Sequence, residues 1–144
     1  MASITKYDKF LKNQLNGVGV IDFDTDTLKL ALVTSAYVPA ATTHDFFDDI
    51  TNEVTGTGYT AGGVTLTGVT LTETAGTVKL DADNVTVTQS GAGFSNARYG
   101  ILYKSTGTAG TSPLFAYIDF VTDVGNVASD LSVNWNAAGI STWT

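Results

Sequence analysis

Apolar residues recur along this chain with two different periods. Near the start, Ile4, Tyr7, Leu11 and Leu15 fall at three- to four-residue spacing, with Phe10 beside them. That is the repeat of one helix face. The segment TKYDKFLKNQLN, residues 5–16, is therefore predicted to be a helix. Thr5 followed by Asp8 resembles a capping box with Asp in place of Glu, and Asn16-Gly17 supplies a stop. So short a helix is marginal alone. Its apolar stripe must be covered either by its own domain or by a partner chain.

From Leu28 onward the period changes to two. LKLALVT sets Leu28, Leu30 and Leu32 on one face, the alternation of a strand. AYVPAATTHDFFDDI breaks that pattern at Pro39 and holds room for a short helix around 44–51, with Thr43 or Asp45 as cap. The VTLT of residues 64–67 places Val64 and Leu66 inward. The next VTLT places Val69 and Leu71 inward, one residue out of phase across Gly68. A β-bulge at the glycine would absorb such a slip. TVKL and NVTVTQ continue as strands around the turn DADN. ARYGILYK and LFAYIDFV alternate as a pair, joined by the long loop STGTAGTSP. LSVNW reads as a last strand.

Many short strands punctuated by glycine predict a mainly β fold, an antiparallel β-sandwich or barrel with a short N-terminal helix. Residues 1–17 form an N-terminal helical arm in this reading, ahead of a single β-rich domain over 18–144. The composition agrees. Only 15% of the 144 residues are charged and 43% are hydrophobic, and threonine, which suits a pleated surface, fills the difference. A loose TGT/TAG texture recurs without a fixed period, so it is turn chemistry rather than a solenoid.

Charge and chemistry narrow the function classes. Seven Lys and Arg against fourteen Asp and Glu give a net charge of −7, the wrong sign for a phosphate-binding surface. No nucleic acid partner is expected. No apolar run is long enough for a membrane span, and the N-terminus shows no secretory apolar region; no membrane partner is expected. Cysteine is absent, which removes disulfides, thiolate nucleophiles and Cys-ligated zinc.

Four constellations invite a chemical reading, and each has a plainer one. Asp22, Asp24 and Asp26 open like an EF-hand loop, but no glycine stands at 27 and position 33 is Val33; a solvated turn fits better than a calcium site. His44, the single histidine, neighbours Asp45, Asp48 and Asp49, an arrangement that also suits the acidic first turn of a helix. GTGYTAGG lacks the Gly-Lys-Ser/Thr of a phosphate loop and precedes a strand, so it reads as a flexible loop. Tyr99, Tyr103, Phe115 and Tyr117 could stack a sugar or base, or simply pack the core. None of these assembles a catalytic set, a metal centre or a cofactor site, and no cofactor is expected.

The segments YDKFLKNQLNG, DTDTLKLALVTSAYVP, EVTGTGYTAGGVTLTGVTLT, ARYGILYKSTGTAGTSPLFAYIDF and the closing WNAAGI together resemble a family of small virion proteins of tailed bacteriophages. The likeness spans nearly the whole chain, and the ARYGILYK to FAYIDF segment is its most specific part. It implies a structural protein without enzymatic activity. The expected role is a capsid decoration (cement) protein on the capsid exterior, bound to the major capsid protein lattice and to copies of itself. A tail or fibre component touching the host surface is the alternative. The resemblance carries over no catalytic residues. The partner-binding candidates are the N-terminal stripe, Ile4, Tyr7, Phe10, Leu11 and Leu15, placed before the glycine break at Gly17 and Gly19.

Overall fold

The computed structural model describes residues 3–144. Two-residue periodicity and glycine punctuation become ten strands, all paired antiparallel, in a sandwich-like arrangement rather than a closed barrel. Strand β1 is Ser3–Lys6, β2 Leu28–Val33, β3 Val64–Thr65, β4 Thr70–Thr74 and β5 Thr77–Asp81. They are followed by β6 Val85–Val87, β7 Ala97–Lys104, β8 Leu114–Val124, β9 Leu131–Val133 and β10 Ser141–Trp143. The one α-helix among the described residues, α1, is Asp8–Asn16. A five-stranded sheet runs β1-β8-β7-β2-β3, a three-stranded sheet β10-β5-β4, and a ribbon pairs β6 with β9.

The central pair of the large sheet is the one the sequence matched, β7 against β8, with Ile101 opposite Tyr117 and Leu102 opposite Ala116. β2 closes on β7 through Leu28 to Val33. It is buried on both faces, since Leu30, Ala31, Leu32 and Val33 are each at most 1% exposed. That explains why LKLALV is nearly continuous in apolar residues rather than alternating. The main core gathers Leu28, Leu30, Ile101, Phe115 and Ile118 with Leu80 from the smaller sheet. A second cluster forms around Leu32, Val54, Val87 and Phe94.

The helix does not start at Thr5, because Ser3–Lys6 forms β1 and pairs with β8, Ile4 opposite Ile118. Tyr7 is the N-cap, with extended backbone and no side-chain cap bond, so the Thr5–Asp8 capping box does not form. The described part of the helical arm expected over 1–17, from Ser3, is joined to the large sheet through β1 and to the core through Tyr7 and Phe10.

Gly68 is not a bulge within one strand. β3 belongs to the large sheet and β4 to the small one, and the chain changes sheets at Gly68, where φ is +59. The phase slip is that change of sheet. Around residues 44–51 only a 3-10 turn forms, Phe47–Asp49, and Asp49 rather than Asp45 or Thr43 serves it. The Asp49 carboxylate accepts the N–H of Asp45 at 2.9 Å.

The glycine-rich GTGYTAGG is not a flexible loop. Tyr59 donates its hydroxyl to the Glu53 carboxylate, whose same oxygen accepts the Gly62 N–H at 2.6 Å. Tyr103 donates to the Gly62 carbonyl at 2.7 Å. Gly63 has φ +81, and a Cβ there would lie 2.0 Å from the Leu30 carbonyl oxygen. Glycine is what allows β3 to close on β2.

Candidate functional site

The five N-terminal candidates separate in space. Backbone bonds from Tyr7 N to the Phe115 carbonyl and from Asp8 N to the Ala41 carbonyl anchor the start of α1. This rotation turns Tyr7 and Phe10 inward, to 1% and 7% exposure. Tyr7 meets Tyr117, and Phe10 meets Phe23, Phe115 and Trp143. These two side chains belong to the protein's own core and are not available to a partner. Ile4 instead lines a cleft of about 530 Å³ between the β1 side of the large sheet and the C-terminal segment, with Ile118, Trp135 and Ile140. Leu11 and Leu15 face outward, 54% and 78% exposed.

The outward face of α1 continues into an apolar surface. Gly17, left-handed at φ +71, ends the helix, with Val18 N bonded to the Asn13 carbonyl, a Schellman-type turn. Gln14 then clips the returning chain by accepting from Ile21 N at 2.9 Å and donating to its carbonyl. Val18 and Val20 between these points are exposed. On the other side, Leu11 shares a groove of about 320 Å³ with Leu71 of β4, Val78 of β5 and Trp143 of β10, floored by Phe10 and Phe23. Sequence periodicity could not find Leu71 and Trp143, because they join α1 only through the tertiary fold.

The candidate chemistry resolves into structure. Asp22, Asp24 and Asp26 form a tight turn: Asp22 accepts from Asp24 N, and Asp26 accepts from Asp22 N. Lys104 meets Asp26 at 2.8 Å. Among the described residues no three His, Cys, Asp or Glu side chains cluster closely enough to hold a metal ion. His44 does not pair with the neighbouring aspartates. Its Nδ1 lies 2.8 Å from the Tyr37 hydroxyl, which lies 2.9 Å from the Tyr7 hydroxyl. Asp45 turns to Lys9 instead, at 3.6 Å.

Burial, then the hydrogen bond to Tyr37, holds the Tyr7 phenol well above its ordinary range. Burial pushes Tyr37 up to about 12. Both phenols stay protonated donors across the physiological range.

The aromatic set Tyr99, Tyr103, Phe115 and Tyr117 forms no open platform. Phe115 and Tyr103 are buried, and Tyr103 stacks on Phe47 at 4.1 Å. Tyr99 and Tyr117 are half-buried and pack edge to face. Among the described residues the exposed large apolar ones are all aliphatic: Leu11, Leu15, Val18, Val20, Val38, Leu71, Val121 and Val127.

A polar core residue escaped the sequence reading altogether. Asn126 is fully buried. It accepts from Phe94 N at 2.9 Å and donates to the carbonyls of Thr57 and Thr88, tying three distant segments together. Among the described residues no helix is long and apolar enough to cross a membrane. No family model, curated protein or solved structure matches the chain.

Proposed function

We propose that this protein is a structural component of a bacteriophage virion, a capsid decoration protein that binds the outside of the major capsid protein lattice and acts without enzymatic chemistry. The observation that carries the reading is the open apolar surface of α1: Leu11 and Leu15 at 54% and 78% exposure, continued by Val18 and Val20. A folded domain leaves such a stripe in water at a cost, and contact with another protein removes it. The chain is also poor in charge and net acidic, which suits a particle exterior and disfavours adhesion to nucleic acid. Many copies on a regular lattice gain avidity from modest individual contacts.

The alternative, a tail or fibre component reading host glycans, draws less support. A sugar platform needs open aromatic rings, and the exposed large apolar groups here are aliphatic.

Electron microscopy of intact particles tests the location, with density expected on the head exterior. The α1 surface is tested with Leu11→Asp/Leu15→Asp. Both positions are exposed, so the melting temperature is expected to hold, while binding to particles lacking the protein falls at least about tenfold, since each buried leucine contributes about 1.5–3 kcal/mol. Density on the tail, or unchanged binding by the double variant, refutes the proposal.

A further inference from the structure

We propose that the free edge of β4 is a self-association site at which a second copy of this chain adds its own β4, antiparallel about a two-fold axis at Thr72. The inference stands on the sheet edge and is independent of the virion reading. A sheet edge offers a row of unpaired N–H and C=O groups, and proteins blunt it with short strands, lysine, proline or bulges. The other edges here are blunted. β1 carries Lys6, β3 has two residues, and β6, β9 and β10 have three each. Lys6 also bonds the Thr142 carbonyl of β10. β4, TLTET, is five residues long, exposed throughout, and contains neither lysine nor proline; its one charged residue, Glu73, is engaged within its own hairpin by the Gly76 N–H.

The backbone settles which groups are free. β4 and β5 are joined by Ala75 and Gly76, with φ of +51 and +83, a type I′ hairpin. In such a hairpin the closing pair, Thr74 with Thr77, is hydrogen-bonded, and pairs alternate from there. With the observed register, Thr70, Thr72 and Thr74 spend their backbone groups on β5. Leu71 and Glu73 point theirs outward.

A two-fold partner strand must pair these outward residues with their own kind. Glu73 opposite Glu73 would set two carboxylates together, which is destabilising. Leu71 opposite Leu71 would run off the strand at Thr70 and leave Glu73 without a strand residue opposite. Leu71 opposite Glu73 of the second copy uses both residues on both chains. It puts Thr72 against Thr72 at the axis and Thr70 against Thr74, threonine pairs of the favourable kind. No like charges oppose each other, and the Glu73 carboxylate is already engaged by the Gly76 N–H at 2.6 Å. The result is a continuous six-stranded sheet. Leu71, 38% exposed at the mouth of the α1 groove, gains cover from the incoming strand.

The chain has no cysteine, so single thiols report the register directly. Thr72→Cys places two sulfurs across a non-hydrogen-bonded pair with Cα atoms about 4.5 Å apart, inside the roughly 4.4–6.8 Å that a disulfide spans. In Thr70→Cys the two copies lie about 13 Å apart, four residues along the strand. Under mild oxidation Thr72→Cys is expected to form a covalent dimer at least about ten times faster than Thr70→Cys, as geometry admits only the first. Sedimentation of the unmodified chain is expected to show a concentration-dependent dimer. Thr72→Glu, which opposes two carboxylates at the axis but faces Lys79 within its own hairpin, is expected to weaken it about fivefold without lowering the melting temperature. Equal cross-linking of the two cysteine variants overturns the register. A chain that stays monomeric to millimolar concentration overturns the proposal and leaves the edge for a strand of another protein.

Discussion

Replacing Tyr37 by Phe is expected to destabilise the protein more than replacing Tyr7 and Tyr37 together. The reason lies in the direction of a buried hydrogen-bonded chain. Tyr7 and Tyr37 are 1% and 2% exposed. Among the described residues the Tyr7 hydroxyl has Tyr37 alone as partner, at 2.9 Å, and Tyr37 has Tyr7 and His44 Nδ1, at 2.8 Å. Both hydroxyl hydrogens are used only if Tyr7 donates to Tyr37 and Tyr37 donates to Nδ1. That direction puts the imidazole hydrogen on Nε2. The reverse direction would strand the Tyr7 hydrogen in the core.

The magnitudes follow from which group is left alone. Tyr7→Phe removes one bond and leaves Tyr37 still donating to His44, a loss of about 1 kcal/mol. Tyr37→Phe breaks both bonds and leaves the Tyr7 hydroxyl buried without a partner; two bonds and an orphaned group sum to about 3–4 kcal/mol. The double variant loses the same two bonds but removes the orphan, so it costs about 2 kcal/mol. Urea unfolding followed by Trp135 and Trp143 fluorescence measures the three. With a slope of about 2 kcal/mol per M, the double variant should unfold about 0.5–1 M later than Tyr37→Phe. If Tyr37→Phe matches Tyr7→Phe, or if the double variant is the least stable of the three, the directed chain is wrong.

Two further outcomes are expected. Asn126→Asp aims a carboxylate at the carbonyls of Thr57 and Thr88, where an amide donated; it should cost about 3 kcal/mol or more by thermal or urea unfolding, and a variant within about 0.5 kcal/mol of the parent would refute the strap role. The Asp119 carboxyl is held below its ordinary value of 3.8 by Arg98 first and then by the Val121 N–H. Its stabilisation is therefore present above the unfolded-state value and lost as pH falls through the folded-state value. Asp119→Asn should melt below the parent at pH 7, and the gap should close as pH falls below the ordinary value of 3.8; a gap independent of pH would exclude this carboxylate as its source.

Much of the fold was legible in the chain because strands bury alternate residues and the pairing of ARYGILYK with LFAYIDFV left two matched stretches. What was not legible depended on contacts distant in sequence. SITK carries Ile4 and Thr5, both comfortable in a strand, and only the presence of β8 alongside decides strand over helix. The spacing of Tyr7, Leu11 and Leu15 identified a helix face without saying that Phe10 would define the inward direction. STW is too short for a period to appear, yet it forms β10 and brings Trp143 over Phe10 and Phe23. Nothing within DVGNVAS marks Asn126, since its partners lie 32 to 69 residues away. Val121, at φ +71, sits in a bulge of β8 where the register against β7 shifts. Asp119 organises that bulge by accepting from Val121 N at 2.7 Å while it pairs with Arg98. No pattern of apolar positions encodes such a bulge.

The N-terminal segment combines an anchored face with an open one. Tyr7 and Phe10 fasten it to the core, so the backbone of α1 is held by burial rather than by helix propensity, which nine residues could not supply. That anchoring frees the opposite side from any duty in folding. Leu11 and Leu15 can then stay exposed on a fixed scaffold, and a partner that covers them does not first have to order the helix, which lowers the entropic cost of binding. β4 is a parallel case. Its inward backbone groups are committed to β5 and its side chains are exposed, so an added strand meets an edge already in register. Substitutions at Leu11, Leu15 or Thr72 should therefore alter association while the unfolding transition stays in place, and substitutions at Tyr7, Phe10 or Tyr37 should do the reverse. A variant of the first group that lowers the transition as far as one of the second would show that the contact surface and the core are not separate.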